Sequence, residues 1–149
     1  MCLFADSFVF KTPLLISFSL CFSECQNYRS LTSANRKVTY TSSSYYYYYY
    51  FSCDDTLGPD WFRFQGAAGT RMSTSCPPTY RCNTQAPGWL NGGHPSVADG
   101  RVTRQVCFHW SGSCCYRYIN INVRNCGSFY VYYFSGTGSW CNARYCGTD

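Results

Sequence analysis

The sequence is short of charge: Asp, Glu, Lys and Arg make up 13% of its 149 residues. Its net charge of +5 comes mostly from scattered arginines with no run of like sign, so the basic stripe of a nucleic-acid binder is missing. No Cys-x-x-Cys pair occurs. The spacings Cys76 to Cys82, Cys114 to Cys115 and Cys141 to Cys146 make neither a zinc knuckle nor a finger. Gly-x-Ser-x-Gly and His-Glu-x-x-His are absent, leaving His94 and His109 as the two groups able to act as bases near neutral pH. His94 falls in a Gly-His-Pro turn and His109 beside a strand end, so no catalytic residue is assigned. Asp54, Asp55, Asp60 and Asp99 lack EF-hand spacing and read as turn caps, so no metal or cofactor is expected. The apolar stretch from Pro13 to Phe22 is too short to span a bilayer, and no other stretch is a candidate.

What the chain has instead is cysteine and aromatic rings: 12 Cys and 20% Phe, Trp and Tyr. That cysteine density is the signature of an extracellular disulfide scaffold, in which bridges and rings replace an aliphatic core. The adjacent pair Cys114-Cys115 reads as a crossroads, each sulfur bridging to a different part of the chain, because a bond between neighbours distorts the peptide joining them.

Lys11, the apolar run that follows and the small Cys21 and Ser23 read as a signal peptide over residues 1–23, with Glu24 the first residue after the cut. Its removal takes Cys2 and Cys21 and leaves ten cysteines, an even number. Residues 24–52 form a polar arm carrying Ser42-Ser43-Ser44 and the run Tyr45 to Tyr50, a low-complexity insert. A cysteine-rich domain over 53–149 follows. Trp61 to Phe64 reads as the first confident strand, and Gly66-Ala67-Ala68-Gly69 as a close-packed crossing. Arg101 to Phe108 and Ile119 to Arg124 alternate with period two, as strands on either side of a doubly stapled turn. Val102, Arg104, Val106 and Phe108 share one strand face, with Arg104 snorkelling. Phe129 to Phe134 reads as a strand with rings on both faces. The fold class expected is mainly β: a small disulfide-rich extracellular domain with short strands, long loops and an N-terminal hairpin arm.

Several motifs resemble, in order, those of the cysteine-rich decoy-module domain shared by uromodulin, the pancreatic secretory granule membrane glycoprotein and the oncoprotein-induced transcript protein. They include Trp61-Phe62-Arg63-Phe64, Cys76-Pro77-Pro78-Thr79-Tyr80-Arg81-Cys82, Trp89-Leu90-Asn91-Gly92-Gly93-His94-Pro95, His109-Trp110-Ser111-Gly112-Ser113-Cys114-Cys115 and Arg144-Tyr145-Cys146-Gly147. The resemblance is strong from Cys53 to Asp149. Cys25-Gln26-Asn27-Tyr28 is similar to the hairpin arm that precedes the domain in this family.

The resemblance implies the pairings Cys25–Cys126, Cys53–Cys141, Cys76–Cys114, Cys82–Cys146 and Cys107–Cys115. It also implies a module that displays mannose-rich glycans to bacterial fimbrial adhesins. The family's glycan positions fall at Asn91 and Tyr133, and this sequence contains no Asn-x-Ser/Thr, so that activity is not carried over. The function expected is a secreted, non-enzymatic recognition or adhesion module, one unit of a larger multidomain protein. The alternative is a stand-alone structural or toxin-like disulfide-rich protein. The partner expected is an extracellular protein or glycan, with no nucleic acid and no transmembrane span. Candidate contacts are Trp110, Trp140, Tyr130, Tyr132 and Arg144, because Trp, Tyr and Arg dominate interface energetics. Trp89 is a weaker candidate and, like Trp61, is expected in the core.

Overall fold

A computed structural model describes residues 22–41 and 51–149. Most of the expected leader (1–21) and the run Tyr45 to Tyr50 lie outside the described residues. Two long strands, β5 (Arg101–Trp110) and β6 (Ser113–Asn125), form a hairpin at the centre of the molecule. On one side β6 pairs with β7 (Tyr130–Phe134), β7 with β2 (Asp60–Phe64), and β2 with β1 (Arg29–Leu31). On the other, β5 pairs with β4 (Ala86–Asn91) and β4 with β8 (Ala143–Tyr145), completing a sheet of seven strands. β1 and β8 join in parallel and the other pairings are antiparallel. A small second sheet pairs β3 (Arg71–Met72) with β9 (Gly147–Thr148).

Alternation along the strands explains the core. Phe62, Phe64, Tyr132, Phe134, Val123, Ile121, Val106 and Phe108 form one cluster with Leu90 and Tyr145. Its centre is aromatic. Phe134 stacks on Tyr145 with centroids 3.8 Å apart, and Phe64 meets Tyr132 edge-on at 5.6 Å, an arrangement that satisfies the ring quadrupoles. The expected close crossing is present: a Cβ at Gly69 would strike the Thr148 backbone, and one at Gly147 the Ala68 carbonyl. Only glycine lets the 66–69 turn and β9 approach so closely, and Gly69 also holds a φ of +94°.

One expectation changes. Cys114 and Cys115 are not in the turn between β5 and β6. Ser111 and Gly112 make that turn, with φ of 50° and 76°, the two-positive-φ geometry that matches strand twist, and both cysteines lie on β6. The described part of the arm runs as a helical turn, α1 (Ser23–Gln26), then β1 against β2, then a 3-10 turn, Ala34–Arg36, that reaches the far side of the domain.

That last reach ends in a buried ionic cluster. Arg36 donates two hydrogen bonds to the Asp54 carboxylate, at 2.6 and 2.7 Å, and one to the Tyr145 carbonyl. The Tyr145 N–H donates to the same carboxylate at 2.9 Å, and the Arg144 guanidinium lies 3.9 Å from it. Asp54 is therefore a buried counter-ion, not the turn cap its sequence context suggests. Asp99 does act as a cap, accepting from the Ser96 N–H and hydroxyl.

Replacing Asp54 by Ala leaves two guanidiniums buried without a counter-charge, which is expected to cost about 3–5 kcal/mol. Urea unfolding of Asp54→Ala against wild type measures this. A loss below about 1 kcal/mol would mean that the cluster is hydrated and structurally unimportant.

Candidate functional site

Four disulfides fix the region around the central hairpin: Cys25–Cys126, Cys76–Cys114, Cys82–Cys146 and Cys107–Cys115. Cys114 and Cys115 thus have separate partners. Cys114 ties β6 to the 76–82 loop, and Cys115 ties β6 back to β5. On the chain-entropy model the Cys25–Cys126 closure, with a sequence separation of 101, stabilises by about 4–5 kcal/mol.

The fifth bridge implied by the resemblance is not closed here. Cys53 and Cys141 are free thiols whose sulfurs lie within 4.8 Å of each other, near an Asp55 oxygen. Burial, followed by the Cys141 thiol, pushes the Cys53 thiol up to about 12, so it stays protonated at neutral pH.

Burial sorts the expected contact residues. Tyr132 is 0% exposed and Arg144 is 5% exposed, so neither can meet a partner directly. The Tyr132 hydroxyl accepts from the Met72 N–H at 3.0 Å and bonds His94 Nε2 at 2.8 Å. Arg144 donates to the Cys82 carbonyl and to Asn35, and burial, then the neighbouring Arg36, lowers it to about 10. Residue type suggests a surface place for both, but their parity and the buried Asp54 take them inside. Trp110, Trp140 and Tyr130 are half-buried and pack against the core with one part of each side chain. Trp61 meets Tyr133 edge-on, and the Trp89 indole donates to the Cys114 carbonyl at 2.8 Å, securing the stapled strand.

At the hairpin's outer end the surface is aromatic and cationic. Tyr116 is 51% exposed and lies 6.2 Å from the Trp140 ring. The Arg117 guanidinium sits 4.9 Å from the same ring, a cation–π pair, while Phe108 supports that indole from the core at 5.8 Å. Tyr118, two residues further along β6, is 61% exposed. Sequence reasoning found Trp140 but missed Tyr116, Arg117 and Tyr118. The available signal was the alternation of β6 continued outward past Ile119, where no apolar residue follows.

Neither histidine is arranged as a base. His109 Nδ1 meets the Pro77 carbonyl at 2.7 Å and therefore carries the proton there. His94 lies tilted against the Tyr130 ring with centroids 4.3 Å apart, and burial, then Arg71 and Arg104, lower it to about 4. Its folded value lies below the ordinary 6.5. As pH falls from about 6.5 to about 4, the unfolded chain takes up a proton that the folded chain refuses. Stability is expected to be full above that window and to decline through it, and His94→Gln to flatten the decline. Urea midpoints for both proteins across the window measure the difference, and parallel curves would remove His94 as the cause.

Among the described residues, no helix is long and apolar enough to cross a membrane. The family model of the uromodulin-like domain matches residues 62–147. Human pancreatic secretory granule membrane major glycoprotein GP2 is 41% identical over 128 residues, covering 85% of this chain and 22% of that protein. The dog protein of the same name is 44% identical over 127 residues, covering 84% of this chain and 23% of the relative. Mouse uromodulin is 41% identical over 128 residues, covering 85% of this chain and 18% of its own length. This chain thus spans about a fifth of the length of these relatives. The bridges and these likenesses place it in the secreted, extracellular class.

Proposed function

Because the chain belongs to the uromodulin-like domain family, we propose that it is a secreted, non-enzymatic module for extracellular recognition or adhesion, and one unit of a larger multidomain protein. The observation that carries this reading is the open cluster of Tyr116, Arg117 and Trp140 on a hairpin that two bridges hold in place. Rigid aromatic and guanidinium groups bury area on binding at little cost in conformational entropy. Both histidines are engaged in structural contacts, which supports the non-enzymatic part.

Recognition here rests on side chains. The family's glycan positions, Asn91 and Tyr133, share a sheet face by register through Gln105, Asn120 and Asn122. Asn91 donates to Gln105 at 2.8 Å and no sequon is present. Tyr116→Ala with Arg117→Ala should weaken saturable binding of the labelled secreted protein to epithelial cell surfaces by about 30-fold, equivalent to about 2 kcal/mol. Its melting temperature should be unchanged, because both side chains are exposed. No saturable binding by folded wild type, or equal binding by the variant, would reject this surface.

The ten-cysteine framework belongs to the same proposal: cleavage before Glu24 and oxidation that closes Cys53–Cys141. Closure needs little movement, since the two sulfurs already lie within 4.8 Å. A non-reducing peptide map of secreted protein should start at Glu24 and contain a Cys53–Cys141 linked peptide. Two alkylatable thiols at these positions would contradict it.

A further inference from the structure

Resting on the recognition reading above, we propose that a shallow cavity between the 76–82 loop and the β5–β6 turn is a binding subsite for one neutral hexopyranose ring of a glycan. The cavity offers about 280 Å³ and is lined by Thr79, Tyr80, Trp110, Ser111 and Gly112.

Tyr80 shapes one wall. It holds a φ of +64° in the turn Thr79–Tyr80, a conformation that Gly or Asn adopts readily and a bulky aromatic resists. Cys82 and Asn83 hold φ of +58° and +55° in the same loop, and the Tyr80 N–H donates to the Gln85 carbonyl at 3.2 Å, so the conformation belongs to the turns of that loop. What its conformation achieves is placement: the ring stands 6.1 Å from Trp110 and 5.9 Å from Phe51, yet remains 37% exposed at the cavity wall. A bulky ring carried at a positive φ and left open at a cavity wall points to a binding role.

The two walls are held separately. Cys76–Cys114 and Cys82–Cys146 clamp the loop at both ends, and Cys107–Cys115 staples the strands behind Trp110. Such a cavity is preformed, so little ordering is lost on binding.

Its chemistry selects the ligand. Among the described residues no charged side chain lines it, which favours a neutral molecule. Tyr80 and Trp110 offer ring surface for the C–H face of a sugar, and the Thr79 and Ser111 hydroxyls offer donors and acceptors for its hydroxyls. An extended proline-rich peptide would need a longer aromatic groove than these five residues make.

Saturation-transfer NMR on the secreted chain, with the methyl glycosides of mannose, glucose and galactose as probes, tests the assignment. At least one hexoside should receive saturation on its ring hydrogens. Tyr80→Gly should weaken that binding at least tenfold while leaving the melting temperature equal or higher, because glycine relieves the backbone. Ser111→Ala should weaken it several-fold without a change in melting temperature.

Transfer to none of the three hexosides would overturn the proposal, as would transfer that survives Tyr80→Gly. A clear fall in melting temperature on Tyr80→Gly would make the ring structural and also overturn it. Transfer to a proline-rich decapeptide alone would replace the sugar with a peptide. Loss of cell-surface binding in the Tyr116→Ala, Arg117→Ala variant stands independently of these readouts, so failure of the subsite and failure of the recognition surface are told apart.

Discussion

The Asp54 carboxylate is the point on which three otherwise separate segments depend. It receives Arg36 from the arm, the Tyr145 N–H from β8 and the nearby charge of Arg144. Remove it and the arm, the edge of the large sheet and the 53–57 turn lose their common anchor. A charge this deeply buried is tolerated only when its hydrogen-bonding capacity is taken up, and here a bidentate guanidinium and a backbone donor do so. The same cluster explains why Arg144 faces inward although its chemistry suits a surface.

A second ionic contact repeats this logic at the other end of the arm. Arg124 Nε donates to Glu24 at 2.6 Å, both groups being buried beside the Cys25–Cys126 bridge. Burial pushes the Glu24 carboxyl up, but its backbone N–H and Arg124 outweigh that and hold it below its ordinary value. The arm is thus covalently and electrostatically tied at α1 and electrostatically tied at Arg36. Between the ties, β1 extends the sheet. With the arm secured, the central hairpin is free to carry an exposed outer end, where Tyr116, Arg117 and Trp140 gather.

The arrangement separates the rigid interior from the exposed rim. Stacked rings at Tyr132, Phe134 and Tyr145 fill the core where aliphatic residues are scarce. Bridges from Cys76, Cys82 and Cys107 immobilise the loops and strands around it. Aromatic residues left over at the rim, such as Tyr80 and Tyr116, are then held in fixed positions without contributing to the core. Residue type alone therefore does not reveal which rings pack and which stay exposed.

By itself the sequence determined the compartment, the β class and the family, because these follow from cysteine density, period-two alternation and motifs in a fixed order. It determined the central strands well and the crossroads at Cys114-Cys115 correctly, since adjacent cysteines have few ways to bond. Tertiary structure alone decided which side chains are available. Tyr132 and Arg144 turn inward because strand register and the Asp54 counter-ion, both set by residues distant in the chain, place them there. Arg117 pairs in register with the buried Phe108 yet stays exposed, with Tyr116, beside Trp140, and that outcome is a property of the packed sheet, not of any local stretch of sequence.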